Sequence, residues 1–229
     1  MIYSYLLINL LTLAGPMARS FEPRIQFWRR WRALFPAIGL TMAFFIVWDV
    51  LYTHWGVWGF TSDYLLGLRL INLPLEEWLF FITVPYACLF IYEVLNHFIK
   101  RDPLRSVAKP IGWVLVGGGL VLVVAFWGHA YTMAATGVMV ALLLLEMLVL
   151  RGEWLGRFFL AFVVSLVPFL IVNGILTGAI TARPIVWYND AENLGLRLAT
   201  IPLDDFIYGL DLMLMNVMWY ERLRTRAAI

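Results

Sequence analysis

About 20 consecutive apolar residues suffice to carry a helix across the hydrocarbon of a bilayer. The chain holds seven such runs, at roughly 1–18, 33–51, 76–97, 110–128, 131–150, 156–178 and 203–220. Lipid offers the backbone no hydrogen-bond partner, so runs of this kind must be helical and satisfy their own peptide groups. The expectation is an all-α, polytopic membrane protein with seven transmembrane helices. Composition agrees, with 62% hydrophobic and 14% charged residues, where soluble domains have about 45–50% apolar and about 25% charged residues. A net charge of +2 excludes a basic nucleic-acid binder, and 16% aromatic residues exclude a disordered chain. The single cysteine, Cys88, excludes a disulfide framework. The first run has no basic residue before its apolar stretch, and it reads as a retained helix and not a signal peptide.

The basic residues alternate with the runs. Arg19, Arg24, Arg29, Arg30 and Arg32 follow the first; Lys100, Arg101, Arg105 and Lys109 the third; Arg151 and Arg157 the fifth; Arg222, Arg224 and Arg226 the last. The other ends carry only Arg69, Arg183 and Arg197. The positive-inside rule then predicts an N-terminus outside and a C-terminus inside.

The chain also repeats itself. LGLRLINLPLEEW at 66–78 returns as LGLRLATIPLDDF at 194–206, an offset of 128, and Tyr92-Glu93 falls on Tyr220-Glu221. Upstream, VWGF at 57–60 aligns with VWY at 186–188 if small gaps are allowed. The reading is two parallel three-helix repeats, 1–100 and 130–229, joined by a linker helix within 101–129 (3+1+3). Two such units of equal orientation can be fused only through an odd number of further crossings.

Ionisable groups in hydrocarbon cost about 2.5–3.5 kcal/mol each on insertion scales, so their positions carry information. Asp49 closes the second run, Glu76 and Glu77 open the third, and Asp204 and Asp205 open the seventh. Asn173 stands where the repeat places a partner for Asp49. All six are expected at the outer ends of their helices, with the duplication bringing the two sets face to face. A proline followed by acids is also an ordinary helix start. Here, however, the motif occurs twice and each copy doubles the acid. Neighbouring residues lie about 100° apart around a helix, so one acid of each pair can serve the helix end while the other faces a cavity. Arg69 and Arg197 are expected to anchor or neutralise these acids. Trp48, Trp55, Trp58, Phe60, Phe80, Phe81 and Trp187 gather at the same level, either as an interfacial belt or as a lining whose ring quadrupoles hold a cation. Glu93 and Glu221 read as interfacial ion pairs, while Glu146 and Asp211 stay open between structure and function. The Gly117-Gly118-Gly119 run reads as a close-packing surface. No histidine spacing suggests a metal, and no G-x-G-x-x-G follows a strand.

The segments FEPRIQFWRRW, FFIVWDVLYTHWGVWGF and LPLEEWLFF, with a second IPLDDF in the other half, resemble the integral-membrane, non-Rossmann lycopene cyclases, in their fused single-chain form. The second half departs from the first, with Asp-Asp in place of Glu-Glu and Asn173 in place of an acid. The resemblance implies a lipid-soluble carotenoid substrate, lycopene, no cofactor, and a bacterial type of cytoplasmic membrane. It also implies acid-catalysed, carbocationic, non-redox formation of β-ionone-type rings. On that reading Glu76 or Glu77 donates the proton, and Asp204, Asp205 and Asp49 accept it or stabilise charge. Trp48, Trp58, Phe80, Phe81, Trp187, Asn173, Arg69 and Arg197 form the substrate surroundings.

The alternatives are a cyclase of longer, C50 carotenoids and a membrane prenyltransferase, for which Asn189-Asp190 and Asp204-Asp205 have some likeness to Asp-rich motifs. A retinal protein needs a lysine in the last helix, and the only lysines are Lys100 and Lys109. A transporter needs its polar site near mid-depth.

Overall fold

The computed structural model describes residues 3–226, and the side chains of Thr225 and Arg226 are outside that description. Met1 and Ile2, which open the first apolar run, and residues 227–229, which end the second repeat, therefore lie outside the described residues. The described chain is all-helical apart from short strands: α1 (Ser4–Arg19), α2 (Trp31–Trp55), α3 (Leu75–Phe98), α4 (Ala108–Ala125), α5 (Ala130–Leu144), α6 (Leu155–Leu176) and α7 (Asp204–Arg226). A π-helical segment, Leu145–Leu150, extends α5. Every predicted apolar run lies on one of these helices. Five are long and apolar enough to cross a membrane: α2 with the turn before it (Phe27–Trp55), α3, α4, α5 with its extension, and α6. The shorter α1 has 16 residues, and α7 carries Asp204, Asp205 and Asp211 within its apolar stretch.

Successive helices alternate in direction. Tyr5 at the start of α1 meets Glu77 at the start of α3, whereas at the opposite end Arg224 of α7 bonds Glu93 of α3 and Glu221, and Arg30 approaches Glu93 at 3.6 Å. Glu93 and Glu221 are thus ion-paired as expected. Glu146 has a local role, its Oε1 accepting the Gly152 N–H at 2.7 Å in the turn after α5. Within each half the first helix packs on the third, α1 on α3 and α5 on α7. Between halves α2 packs on α7 and α3 on α6, two contacts that exchange when the repeats are interchanged. The linker α4 lies against α5 and α6, and its Gly112 and Gly119 admit Met147 and Val140 at close range.

Six short strands sit at the acidic end: β1 (Trp58–Phe60), β2 (Arg69–Leu70), β3 (Leu73–Pro74), β4 (Val186–Tyr188), β5 (Arg197–Leu198) and β6 (Ile201–Pro202). Hairpins β2–β3 and β5–β6 are copies at the 128-residue offset, down to a positive φ at Ile71 (62°) and Ala199 (54°) in their turns. The pair β1–β4 joins the halves, with Trp58 opposite Tyr188, Gly59 opposite Trp187 and Phe60 opposite Val186. The offset of 128 carries Trp58 to Val186 and Phe60 to Tyr188, so the pairing is self-complementary. A pseudo-two-fold axis passes between Gly59 and Trp187. Two bulky side chains cannot share that point. Glycine is required at 59 because the Trp187 indole occupies the space where a Cβ would stand.

Candidate active site

Each acidic pair divides its labour as the helical angle allows. Glu76 and Asp204 turn back to the loops before their helices. Glu76 Oε1 accepts the Leu66 N–H at 2.5 Å, and Asp204 Oδ2 accepts the Leu194 N–H at 3.1 Å, positions again 128 residues apart. Asp204 Oδ1 also accepts the Thr132 hydroxyl at 2.6 Å. These two acids hold loops in place and do not line the cavity described next.

Glu77 and Asp205 face inward. Together with Asp49 they line one apolar cavity of about 120 Å³ between the two halves. Among the described residues its lining contains no lysine, arginine or histidine side chain. Pro85 of α3 and Pro168 of α6 face it further along, as does Asn173. The first helix of each repeat presents a tyrosine to the inward acid. The Tyr5 hydroxyl donates to Glu77 Oε2 at 2.5 Å, and the Tyr131 hydroxyl to Asp205 Oδ1 at 2.7 Å. Asp205 has a second phenol, because the Tyr188 hydroxyl donates to its Oδ2 at 3.0 Å. Burial of Tyr188, reinforced by the Asp205 carboxyl beside it, pushes its phenol well above the usual range, so it remains a donor. Asp49 accepts the Trp58 indole N–H on Oδ1. Its Oδ2 is buried with no hydrogen-bond partner.

The strands act as a cover whose side chains alternate, as pleated strands require. Trp58, Phe60, Val186 and Tyr188 face the cavity, while Gly59 and Trp187 do not. Trp58, Tyr131, Tyr188 and Tyr208 come together there, with Trp58 and Tyr131 centroids 5.0 Å apart and Tyr131 and Tyr188 stacked at 5.8 Å.

Several expected substrate contacts lie elsewhere. Trp187 is 40% exposed and packs on Gly59. Phe81 and Trp48 are buried against Phe45, Trp48 also against Tyr208, behind the lining. Only Trp58, Phe80 and Asn173 of the expected neutral set line the cavity. The two arginines anchor their own hairpins. Arg69 donates to the Asn72 carbonyl at 3.2 Å, and Arg197 to the Thr200 carbonyl at 2.9 Å. Arg197 also pairs with Asp190 at 2.5 Å and lies 5.9 Å from the Tyr188 ring. Slight burial raises the Asp190 carboxyl, but the hydrogen bonds from Arg197 and Asn193 outweigh it and hold that group below the usual carboxylate range. Sequence reasoning missed Tyr5, Tyr131, Tyr188 and Tyr208. The signal for Tyr188 and Tyr208 was the ungapped offset, which pairs them with Phe60 and Phe80.

A helical membrane protein with an apolar internal cavity and carboxyls at one end of it is suited to proton chemistry on a greasy substrate. The family model of the lycopene cyclases matches residues 2–95 and 128–223, one segment for each repeat. The chain belongs to the lycopene cyclase family, enzymes that cyclise a carotenoid. No curated protein and no solved structure matches it.

Proposed function

We propose that the protein closes β-ionone-type rings at the ends of lycopene by acid catalysis inside the membrane, without net redox change. On this reading all seven helices cross the bilayer as a 3+1+3 arrangement, with the acidic end and the N-terminus outside and the basic end inside. The self-complementary β1–β4 pairing and the exchanged helix contacts support that arrangement. Residues 1–100 and 130–229 are the two repeats.

A single observation carries the chemistry: three carboxyls, Asp49, Glu77 and Asp205, from three helices and both halves, line one apolar cavity with no cationic side chain. An apolar C40 chain needs an apolar site of this kind for its reacting end. Its cyclisation needs a general acid, a base and stabilisation of a cation. Glu77 donates a proton to the terminal alkene. Asp205 and Asp49 stabilise charge or accept the proton released on ring closure. Glu76 and Asp204 are structural, each with one oxygen engaged by a loop N–H group and neither lining the cavity. That use of Asp204, with Asp190 held by Arg197, leaves neither Asp-rich stretch as a free diphosphate site.

Expression in lycopene-producing bacteria with pigment analysis tests the reading. The wild-type chain converts lycopene to cyclic carotenoid. Glu77→Gln, still inserted, loses about 10²–10⁴-fold of the activity, the usual contribution of a general acid. Glu76→Gln, which keeps an acceptor for Leu66, retains most of it. Lycopene alone from a wild-type chain verified in the membrane would refute the proposal.

A further inference from the structure

The two halves share a backbone plan but not a chemistry. At the 128-residue offset Phe60 becomes Tyr188 and Phe80 becomes Tyr208, while Trp58 becomes Val186, and all six line the cavity. The polar rings are therefore unequally divided between the halves: the second contributes Tyr131, Tyr188 and Tyr208 to the lining, and the first contributes Tyr5 and Trp58 with Phe60 and Phe80. Trp58, Tyr131, Tyr188 and Tyr208 pack against one another as an aromatic cluster on the cavity wall, with Trp58 and Tyr131 each 6.1 Å from Tyr208 and Trp58 6.4 Å from Tyr188. Ring faces attract a desolvated cation.

The hydrogen bonds are as lopsided as the rings. Asp205 receives a phenol on each oxygen, which suits the ionised form, since a protonated carboxyl must donate from one of them. Glu77 receives one phenol, from Tyr5. Asp49 receives the indole N–H on one oxygen and nothing on the other, which is buried. Two equivalent centres would keep the same donors on both sides of the axis. These side chains do not.

We propose that the cavity is one asymmetric centre in which the cyclised cation lies against the Trp58, Tyr131, Tyr188 and Tyr208 cluster and Asp205 removes its proton, with Tyr131 and Tyr188 as positioning residues that select which proton leaves. The inference rests on the cyclase reading above. Glu77 O–H breaks as a new C–H bond forms at the terminal alkene. The π-electron pair of the next alkene in reach closes the ring C–C bond and leaves a tertiary ring cation in the cavity beside the aromatic cluster. A ring C–H bond adjacent to that cation then breaks, its electron pair becomes the ring double bond, and the proton passes to the Asp205 carboxylate. The product is an isomer of the substrate, and the proton returns to Glu77 before the next turnover. More than one adjacent C–H can be lost, so the position of the Asp205 oxygens decides the ring isomer.

The test compares Tyr131→Phe, Tyr188→Phe and the double variant with Tyr5→Phe, in membranes of lycopene-producing bacteria, reading both conversion and the ratio of ring isomers. Removing both phenols lowers conversion about 10- to 100-fold and shifts the rings toward other double-bond isomers or water-quenched alcohols. Tyr5→Phe lowers conversion while the isomer ratio stays that of the wild type. An unchanged ratio in the double variant, or an equal shift in Tyr5→Phe, overturns the proposal. If the double variant does not accumulate in the membrane, the two single variants are judged by the same ratio. A wild-type chain that leaves lycopene untouched removes the cyclase reading itself, whereas a wild type that cyclises with unshifted variants removes only the assignment to Asp205.

Discussion

Asp211 is the residue whose environment is least explained by the site. It is fully buried in α7, and neither carboxyl oxygen has a hydrogen-bond partner. Its counterpart at the repeat offset is Thr83, whose hydroxyl donates to Asn9 at 2.7 Å. An unsatisfied buried polar group costs about 1–3 kcal/mol, and threonine can bond the carbonyl one turn earlier. Asp211→Thr should therefore raise the melting temperature of the detergent-solubilised protein, by the equivalent of about 1–2 kcal/mol. Ile71 offers a second case. A β-branched residue at φ 62° is strained, a conformation that costs about 1–2 kcal/mol. Ile71→Gly, at an exposed turn, should raise the same melting temperature, and a fall would show that Ile71 contributes a contact outweighing the strain.

At the scale of elements, the seven helices were legible because hydrocarbon length and backbone satisfaction leave a chain little choice. The paired acids were legible as helix starts, and the 100° step anticipated that one of each pair would turn inward. The strands were not, since β1 and β4 are three residues long and their hydrophobicity merges with the helices beside them. That omission displaced the site. Matching Val57 with Val186 set Trp58 beside Trp187 and made Trp187 a lining residue. The ungapped offset instead sets Trp187 against Gly59, and strand alternation sends Tyr188 inward. The tyrosines at 5 and 131 were invisible for another reason, because single polar rings in apolar helices carry no periodic signal. The β1–β4 cover gives a direct prediction. Gly59→Val drives a branched side chain into the Trp187 indole, an overpacking cost of about 1–3 kcal/mol. It should reduce both thermal stability and lycopene conversion. The double variant Gly59→Val with Trp187→Gly, which exchanges the large and small positions across the axis, should recover part of each.

For the whole molecule, the duplication supplies more than a second copy of three helices. It brings Asp205 of one half opposite Glu77 and Asp49 of the other, so the lining is complete only when both halves contribute. The basic end closes the same unit from below, with Arg224 joining α7 to Glu93 of α3. Family membership follows from the match across both repeats, while the division of roles follows from where their sequences part. The most direct measurement of the central claim compares Glu77→Gln and Asp205→Asn as separate, membrane-inserted variants by lycopene conversion. A single shared centre predicts that each one alone loses about 100-fold or more. Retention of about half the wild-type conversion by either variant, as two independent centres of equal rate would give, would contradict it.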